Sequence, residues 1–125
     1  MSHKCVYCAI DPLSHSLVKL NDDVYYTRPA DSKMYYDAES IIHHYTCELP
    51  KDKQWKWIFD ASGFGFKHFM QIDVGIRVAK LISTEYSNNL TKIQIVNTNM
   101  YVNLVYNAIS PFLSKKIRER IEFVN

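Results

Sequence analysis

Apolar residues recur along this chain in short blocks that alternate between a two-residue and a 3.6-residue period. β-Branched and aromatic residues over 24–27 predict a first strand, which ends where Arg28 precedes Pro29. Asp37 then has the position of a helix N-cap, and apolar residues at helical spacing follow it until Pro50. The pattern therefore predicts a strand and then a helix of about three turns.

The same alternation repeats down the chain. Residues 55–61 are almost continuously apolar, which predicts a central strand covered on both faces. An apolar stripe over 69–86 predicts a long and largely buried helix. Residues 92–97 predict a strand, 100–112 a helix and 120–124 a last short strand. The expected fold class is therefore α/β: a mostly parallel sheet of about four strands, with helices on its faces.

Length and composition place these elements in one domain. The chain has 125 residues, 47% of them hydrophobic and 22% charged, which suits one globular domain with its own core. Fifteen Lys and Arg against 13 Asp and Glu leave a net charge of +2, too little to predict a nucleic-acid partner. No stretch approaches the roughly 20 apolar residues of a membrane span. We expect a cytoplasmic protein, at most peripheral to membranes.

Cysteine spacing near the N-terminus suggests half of a zinc site. Cys5 and Cys8 are separated by two residues, and His3 and His15 lie nearby. No second cysteine pair follows, so four ligands would require both histidines or a partner chain. Three cysteines in total, an odd number, also argue against a disulfide framework. We favour an N-terminal segment without a metal.

The sequence contains no convincing catalytic constellation. Asp60, just before Ala61-Ser62-Gly63, has the position of a carboxylate that caps a turn through hydrogen bonds. His43 and Cys47 lie four residues apart on one helical face, where packing or surface roles are more common than catalysis. The dinucleotide fingerprint, the phosphate loop and the nucleophile elbow are all absent from the sequence. We therefore expect a protein that is not an enzyme and needs no cofactor.

The second half of the chain carries a series of motifs in a fixed order. They are the strand that ends in Asp60-Ala61-Ser62-Gly63, the helix up to Glu85-Tyr86, the strand over 90–97, Pro111-Phe112-Leu113 and Ile121-Glu122-Phe123-Val124. In this order and spacing they resemble the CRAL-TRIO (Sec14-like) lipid-binding domain family. The resemblance is close across residues 55–125 and weaker across residues 18–54. Two prolines of the family pattern are missing, since Tyr86 is followed by Ser87 and Asn97-Thr98 by Asn99.

The resemblance implies a sheet that floors an apolar cavity for one lipid or hydrophobic molecule. It also implies that the helix after the third strand, here about 101–112, acts as a movable gate. The residues that it implies as the lining are Phe59, Ile95, Tyr101, Leu104, Val105, Ala108, Ile109 and Phe112. A basic run follows the gate: Lys115, Lys116, Arg118 and Arg120. This run is a candidate for transient contact with anionic headgroups or membranes, the alternative being a solvated helix face with local ion pairs.

The expected organisation is an N-terminal extension of unknown role, residues 1–17, and a single truncated CRAL-TRIO-like domain, residues 18–125. The leading function is non-catalytic binding, with transfer or sensing, of a lipid or other hydrophobic small molecule. The alternative is a module that has lost its pocket and buries apolar surface against a second copy or a protein partner. An α/β enzyme would rest on fold analogy alone.

Overall fold

The computed structural model describes residues 17–124, and a five-stranded sheet runs through them. Its strands are β1 (Leu17–Asn21), β2 (Val24–Thr27), β3 (Trp55–Asp60), β4 (Leu90–Val96) and β5 (Ile121–Val124), side by side in chain order. The first two strands form an antiparallel hairpin, and the other neighbours are parallel. The predicted α/β class with a mostly parallel sheet is confirmed, and the hairpin adds the strand β1 to those expected.

Within residues 17–124, five helices connect or follow the strands. They are α1 (Ala38–Glu48), α2 (Phe66–Met70), α3 (Ile72–Glu85), α4 (Met100–Ile109) and α5 (Lys115–Arg118), with short 3₁₀ turns at Pro29–Asp31 and Ser110–Phe112. The helix expected over 69–86 is divided into α2 and α3, because the backbone of Gln71 leaves helical geometry at ψ 45°.

Side-chain caps fix where α1 and α4 begin. The Asp37 carboxylate accepts a hydrogen bond from the Ser40 backbone N–H at 3.1 Å, so the predicted N-cap is confirmed. At α4, the Asn99 side chain accepts from the Val102 N–H at 3.0 Å. The same amide donates to the backbone carbonyls of Ala61 and Phe64. Asn99 therefore ties the start of α4 to the turn that follows β3.

The helices α1, α3 and α4 all pack on the same face of the sheet, where their side chains meet those of β2 to β5. Strands placed side by side in chain order and joined by right-handed crossovers put every connecting helix on one side. Consistent with this, Trp55 and Trp57 of β3 are buried while Lys56 between them is exposed. The expectation that β3 is covered on both faces is therefore wrong.

An aromatic cluster lies between α1 and the amino-terminal part of the strands β2 and β3. Trp55 packs edge-to-face on Tyr25 and Tyr86, with ring centroids 5.3 and 6.0 Å apart. Tyr45 of α1 packs in the same way on Trp57 at 5.8 Å. Such pairs add about 1 kcal/mol each beyond the burial of their area, so the cluster stabilises the packing of α1 on the sheet.

Candidate functional site

An apolar cavity of about 100 Å³ lies between the sheet and the helices. Its floor is one face of the sheet, formed by Thr27, Trp57, Phe59, Ile93, Ile95 and Ile121. Its roof is formed by Val74, Gly75, Val78, Ala79 and Ile82 of α3 and by Val102, Val105, Tyr106 and Ile109 of α4. Among the described residues that line it, none carries a charged side chain. The arrangement suits a hydrophobic molecule.

Strand register explains the floor. Phe59 of β3 pairs with Ile95 of β4, and Trp57 pairs with Ile93. On β5, Ile121 pairs with Ile93 in turn. Because alternate residues of a strand point to the same face, these pairs place rows of large apolar side chains side by side beneath the helices.

A close approach of α3 and α4 depends on Gly75. A Cβ added at Gly75 would lie 3.2 Å from Cγ2 of Ile109 and 3.4 Å from Cγ1 of Val105. Glycine inside a helix costs about 1 kcal/mol relative to alanine. Here its lack of a side chain allows α4 to pack closely against α3 and over the cavity.

One end of the cavity is polar. Thr27, Tyr35 and Tyr45 all line it, and the Trp57 indole N–H donates to the Thr27 hydroxyl oxygen at 2.9 Å. Burial raises the pKa of Tyr45 to about 12, although a hydrogen bond with Thr27 acts in the opposite direction. Burial also raises the pKa of Tyr35, and the nearby Tyr45 adds to the effect. The surroundings of these phenols therefore disfavour negative charge.

Asp60 is held in a hydrogen-bonded turn outside the cavity. Its carboxylate accepts from the Tyr26 hydroxyl at 2.5 Å, the Ser62 backbone N–H at 2.9 Å and the Asn97 amide at 3.0 Å. Burial acts to raise the pKa of Asp60, but these hydrogen bonds outweigh it and hold the pKa well below its usual range. The bond from Ser62 confirms the predicted turn-capping role.

A second depression, of about 560 Å³, adjoins the polar end from outside and is called the outer groove below. Its wall includes Ser32, Lys33, Tyr35, Lys67, His68 and Gln71. Ser32 and Tyr35 belong to both the cavity and the outer groove. His68 is part of the fold, because its Nδ1 accepts from the Gly65 backbone N–H at 2.9 Å. Burial lowers the pKa of His68, and the charge of Lys67 adds to that effect.

Sequence comparison identifies the family to which these features belong. Residues 29–125 match the family described as the CRAL/TRIO domain. That match covers well over half of the chain. The chain belongs to the CRAL/TRIO family. The predicted resemblance is thus confirmed, and the family is one of lipid-binding domains.

The individual relatives that the comparison found match only part of this chain. The chain is 31% identical over 68 residues to the mouse tyrosine-protein phosphatase non-receptor type 9 and equally similar to the human protein of the same name. The match covers 54% of this chain and 11% of each phosphatase. The chain therefore spans only a small part of the length of these relatives.

A solved structure shares the fold. The crystal structure of Sfh5 superimposes with a TM-score of 0.70 at 14% sequence identity, over 90% of this chain and 49% of that chain. At this identity the likeness concerns the CRAL/TRIO fold alone. The chain covers about half of the neighbour's length.

The structure brings four of the eight predicted lining residues together at the cavity. These are Phe59, Ile95, Val105 and Ile109. The other four belong to α4 or to the turn after it and lie outside the lining: Tyr101, Leu104, Ala108 and Phe112. A helix turns by about 100° per residue, so one apolar stripe can extend beyond the face that meets the sheet. Tyr101 packs instead against the rings of Phe66 and Phe69.

The basic run is divided between the fold and the surface. Arg120 donates to the backbone carbonyls of Ser87 and Leu90 at 2.6 and 2.7 Å, so it holds the turn before β4. Lys116 donates to the Asn88 side chain at 2.7 Å and is exposed. Lys115 and Arg118 are exposed as well.

Residues with metal-binding side chains do not cluster in the described part of the chain. No group of three or more His, Cys, Asp or Glu within residues 17–124 is placed to hold a metal ion. His43 Nε2 and Cys47 Sγ lie 3.6 Å apart on α1. The candidate ligands His3, Cys5, Cys8 and His15 lie outside the described residues. None of the helices in residues 17–124 is long and apolar enough to span a membrane.

Proposed function

We propose that this CRAL/TRIO domain binds a lipid or another hydrophobic small molecule, without catalysis, in the cavity between the sheet and α4. The observation that carries the proposal is the uncharged, apolar lining of this cavity. Each Å² of apolar ligand surface removed from water contributes about 25 cal/mol. Phe59, Ile95, Val105 and Ile109 are the predicted residues that form the walls in this proposal.

Entry of a lipid requires α4 to move. The cavity of about 100 Å³ is smaller than the roughly 300 to 1,000 Å³ of typical ligand sites. Outward movement of α4 enlarges it, since Val105 and Ile109 form part of the roof. The helix α4 and the turn after it therefore serve as the gate in this proposal.

Extraction of the natively purified protein tests the proposal. Mass spectrometry of the organic extract should find a lipid near one per chain. Ile109→Asp places a charge in the cavity and should lose this lipid, whereas Ala108→Asp places the same charge on the exposed side of α4 and should retain it. An empty wild-type extract, together with no binding of added phospholipids, sterols or fatty acids, contradicts the proposal.

We further propose transient contact of the gate with an anionic membrane. Exposed apolar side chains lie together on α2 and α4, where the Phe66 and Tyr101 rings are 6.3 Å apart. The exposed side chains are Phe66, Met70, Met100 and Leu104. Lys115, Lys116 and Arg118 are exposed on α5, beyond the other end of α4, and supply positive charge to the same contact. Co-sedimentation with phosphatidylserine vesicles should weaken severalfold in Leu104→Asp and at high salt. Equal sedimentation of the variant argues against this contact.

A second candidate function is a protein-interaction or dimerisation module. The small cavity favours it, because a domain that holds no ligand has no need of a larger one. The exposed apolar side chains of α2 and α4 would then be covered by a second copy or a protein partner. Light scattering over a range of concentrations tests self-association, and a constant monomer mass contradicts the dimer.

A further inference from the structure

The outer groove is a second recess of the fold, and its volume of about 560 Å³ lies within the range of ordinary ligand sites. Its wall comes from three places: the 3₁₀ turn at Pro29–Asp31 with the loop after it, the turn after β3, and α2. These segments are distant in the sequence, so the recess exists only in the folded chain.

A packed partition separates the outer groove from the apolar cavity. The His68 ring stacks on Phe64 with centroids 5.1 Å apart, and Tyr35 packs edge-to-face on both rings. His68 accepts from the Gly65 backbone N–H and also hydrogen-bonds to the Pro29 backbone carbonyl. Phe64 lines the cavity and His68 lines the outer groove. A molecule in the outer groove therefore meets a wall that is already in place and need not enter the cavity.

The electrostatics of the outer groove favour an anion. Lys33 and Lys67 lie in its wall on different segments, and no Asp or Glu is among the described residues that line it. A third cation lies behind the wall, since a Cβ added at Gly63 would be 3.2 Å from a guanidinium nitrogen of Arg28. The carboxylate of Asp31 is paired with that guanidinium at 2.7 Å. An anionic group in the outer groove would thus be attracted by the lysines without an opposing carboxylate in the wall.

The uncharged part of the wall combines hydrogen-bond donors with exposed rings. The Gln71 amide and the Ser32 hydroxyl can each donate to an oxygen of a ligand. A phosphate group carries three strong acceptor oxygens and can use such donors and the lysines together. Tyr36 and Phe66, also in the wall, are 67% and 58% exposed and can pack on a flat ring of a ligand.

We propose that the outer groove is a binding site for a water-soluble aromatic phosphate, the chemical class that includes nucleoside monophosphates. The phosphate lies between Lys33 and Lys67, and the ring of the ligand lies against Tyr36 and Phe66. The site is separate from the cavity, so the inference goes beyond the proposed function and does not depend on it.

Three probes that are parts of one molecule test the two halves of the site. Adenosine 5′-monophosphate, adenosine and ribose 5-phosphate are each titrated calorimetrically into the purified full chain. The monophosphate should bind at least tenfold more tightly than adenosine, which lacks the phosphate, and than ribose 5-phosphate, which lacks the base. Equal affinity for the monophosphate and either fragment overturns the proposal, and so does folded protein that binds none of the three.

Charge reversal tests the lysines. Lys33→Glu and Lys67→Glu should each weaken the binding of adenosine 5′-monophosphate at least tenfold. Lys56→Glu is the matched control, because it makes the same change of net charge on an exposed residue of β3 outside the outer groove, and it should stay within twofold of the wild type. Thermal melts establish that each variant is folded. Equal losses in all three variants, or wild-type affinity in both groove variants, overturn the proposal.

Removal of one ring tests the contact with the base. Tyr36→Ala, at a largely exposed position, should weaken adenosine 5′-monophosphate about fivefold or more and leave ribose 5-phosphate within twofold. A loss of the same size for both probes, or no loss for the monophosphate, contradicts the place given to the aromatic ring.

Discussion

Replacement of Gly75 by leucine should block the cavity while the fold persists. Gly75 lies in the roof, on α3, directly opposite Val105 and Ile109. A four-carbon side chain at this position occupies much of a space of about 100 Å³. If it displaces about 60 Å² of ligand contact, the loss is about 1.5 kcal/mol, or roughly a tenfold weaker affinity for a hydrophobic ligand.

The stability of Gly75 variants follows from two opposing effects. In Gly75→Ala the new Cβ would meet Ile109 at 3.2 Å and Val105 at 3.4 Å. Such overpacking costs about 1 to 3 kcal/mol, and the better helix propensity of alanine returns about 1 kcal/mol. We expect a net destabilisation of about 0 to 2 kcal/mol for alanine and more for leucine, since the larger side chain overpacks the contact with α4 further.

Calorimetric titration with a ten-carbon alcohol and urea melts provide the two measurements. Ala108→Leu is the matched control, because Ala108 is exposed on α4 and lies outside the cavity lining. The control should bind like the wild type. Wild-type affinity in a folded Gly75→Leu variant would refute the reasoning, because the ligand would then occupy another site.

Two further predictions concern residues outside the cavity. The lowered pKa of Asp60 means that its carboxylate contributes stability above about pH 4 that is lost as the pH falls. Asp60→Asn should therefore cost about 2 kcal/mol at pH 7 and flatten the acid side of the stability curve in urea melts; an unchanged acid side contradicts this. Arg120→Ala should cost about 1 to 3 kcal/mol, because it removes hydrogen bonds to the carbonyls of Ser87 and Leu90, whereas exposed Arg118→Ala should stay within about 0.5 kcal/mol. Equal thermal shifts in the two arginine variants would contradict that assignment.

Local sequence signals predict the elements well where one residue dominates the local geometry. Asp37 and Pro50 mark the limits of α1, and the motif that begins at Asp60 marks the end of β3. The pattern does not predict the hairpin strand β1, although the mostly apolar residues 17–20 precede polar residues at 21–23. A strand of five residues with four exposed side chains carries little hydrophobic periodicity, so the signal is weak.

The cavity is less predictable than the helices and strands, because its apolar roof and its polar end depend on different information. The family resemblance implies Val105 and Ile109 as lining residues and they line the cavity, yet Leu104 and Ala108, implied in the same way on the same helix, lie outside the lining. Periodicity gives the width of the apolar stripe and does not say which part of it faces the sheet. The polar end is harder still to predict, since Tyr35 and Tyr45 are brought to the cavity by tertiary packing alone.

The attachment of α4 determines how a gate at this position can open. At its start, Asn99 donates to the carbonyls of Ala61 and Phe64, at 3.2 and 3.0 Å. Beyond its end, the Ser114 backbone N–H donates to the Ser83 hydroxyl of α3 at 2.9 Å. Hydrogen bonds therefore hold α4 at both ends.

Between these anchors α4 meets α3 through van der Waals packing across Gly75. Each anchor contributes about 1 kcal/mol, and the apolar surface that α4 uncovers on opening is covered again when a hydrophobic ligand occupies the same space. A ligand shifts such an equilibrium only by its differential affinity for the two states. The middle of α4 should therefore move outward with Asn99 and Ser114 still bonded, because a hydrophobic ligand compensates for uncovered apolar surface and not for broken hydrogen bonds at the anchors.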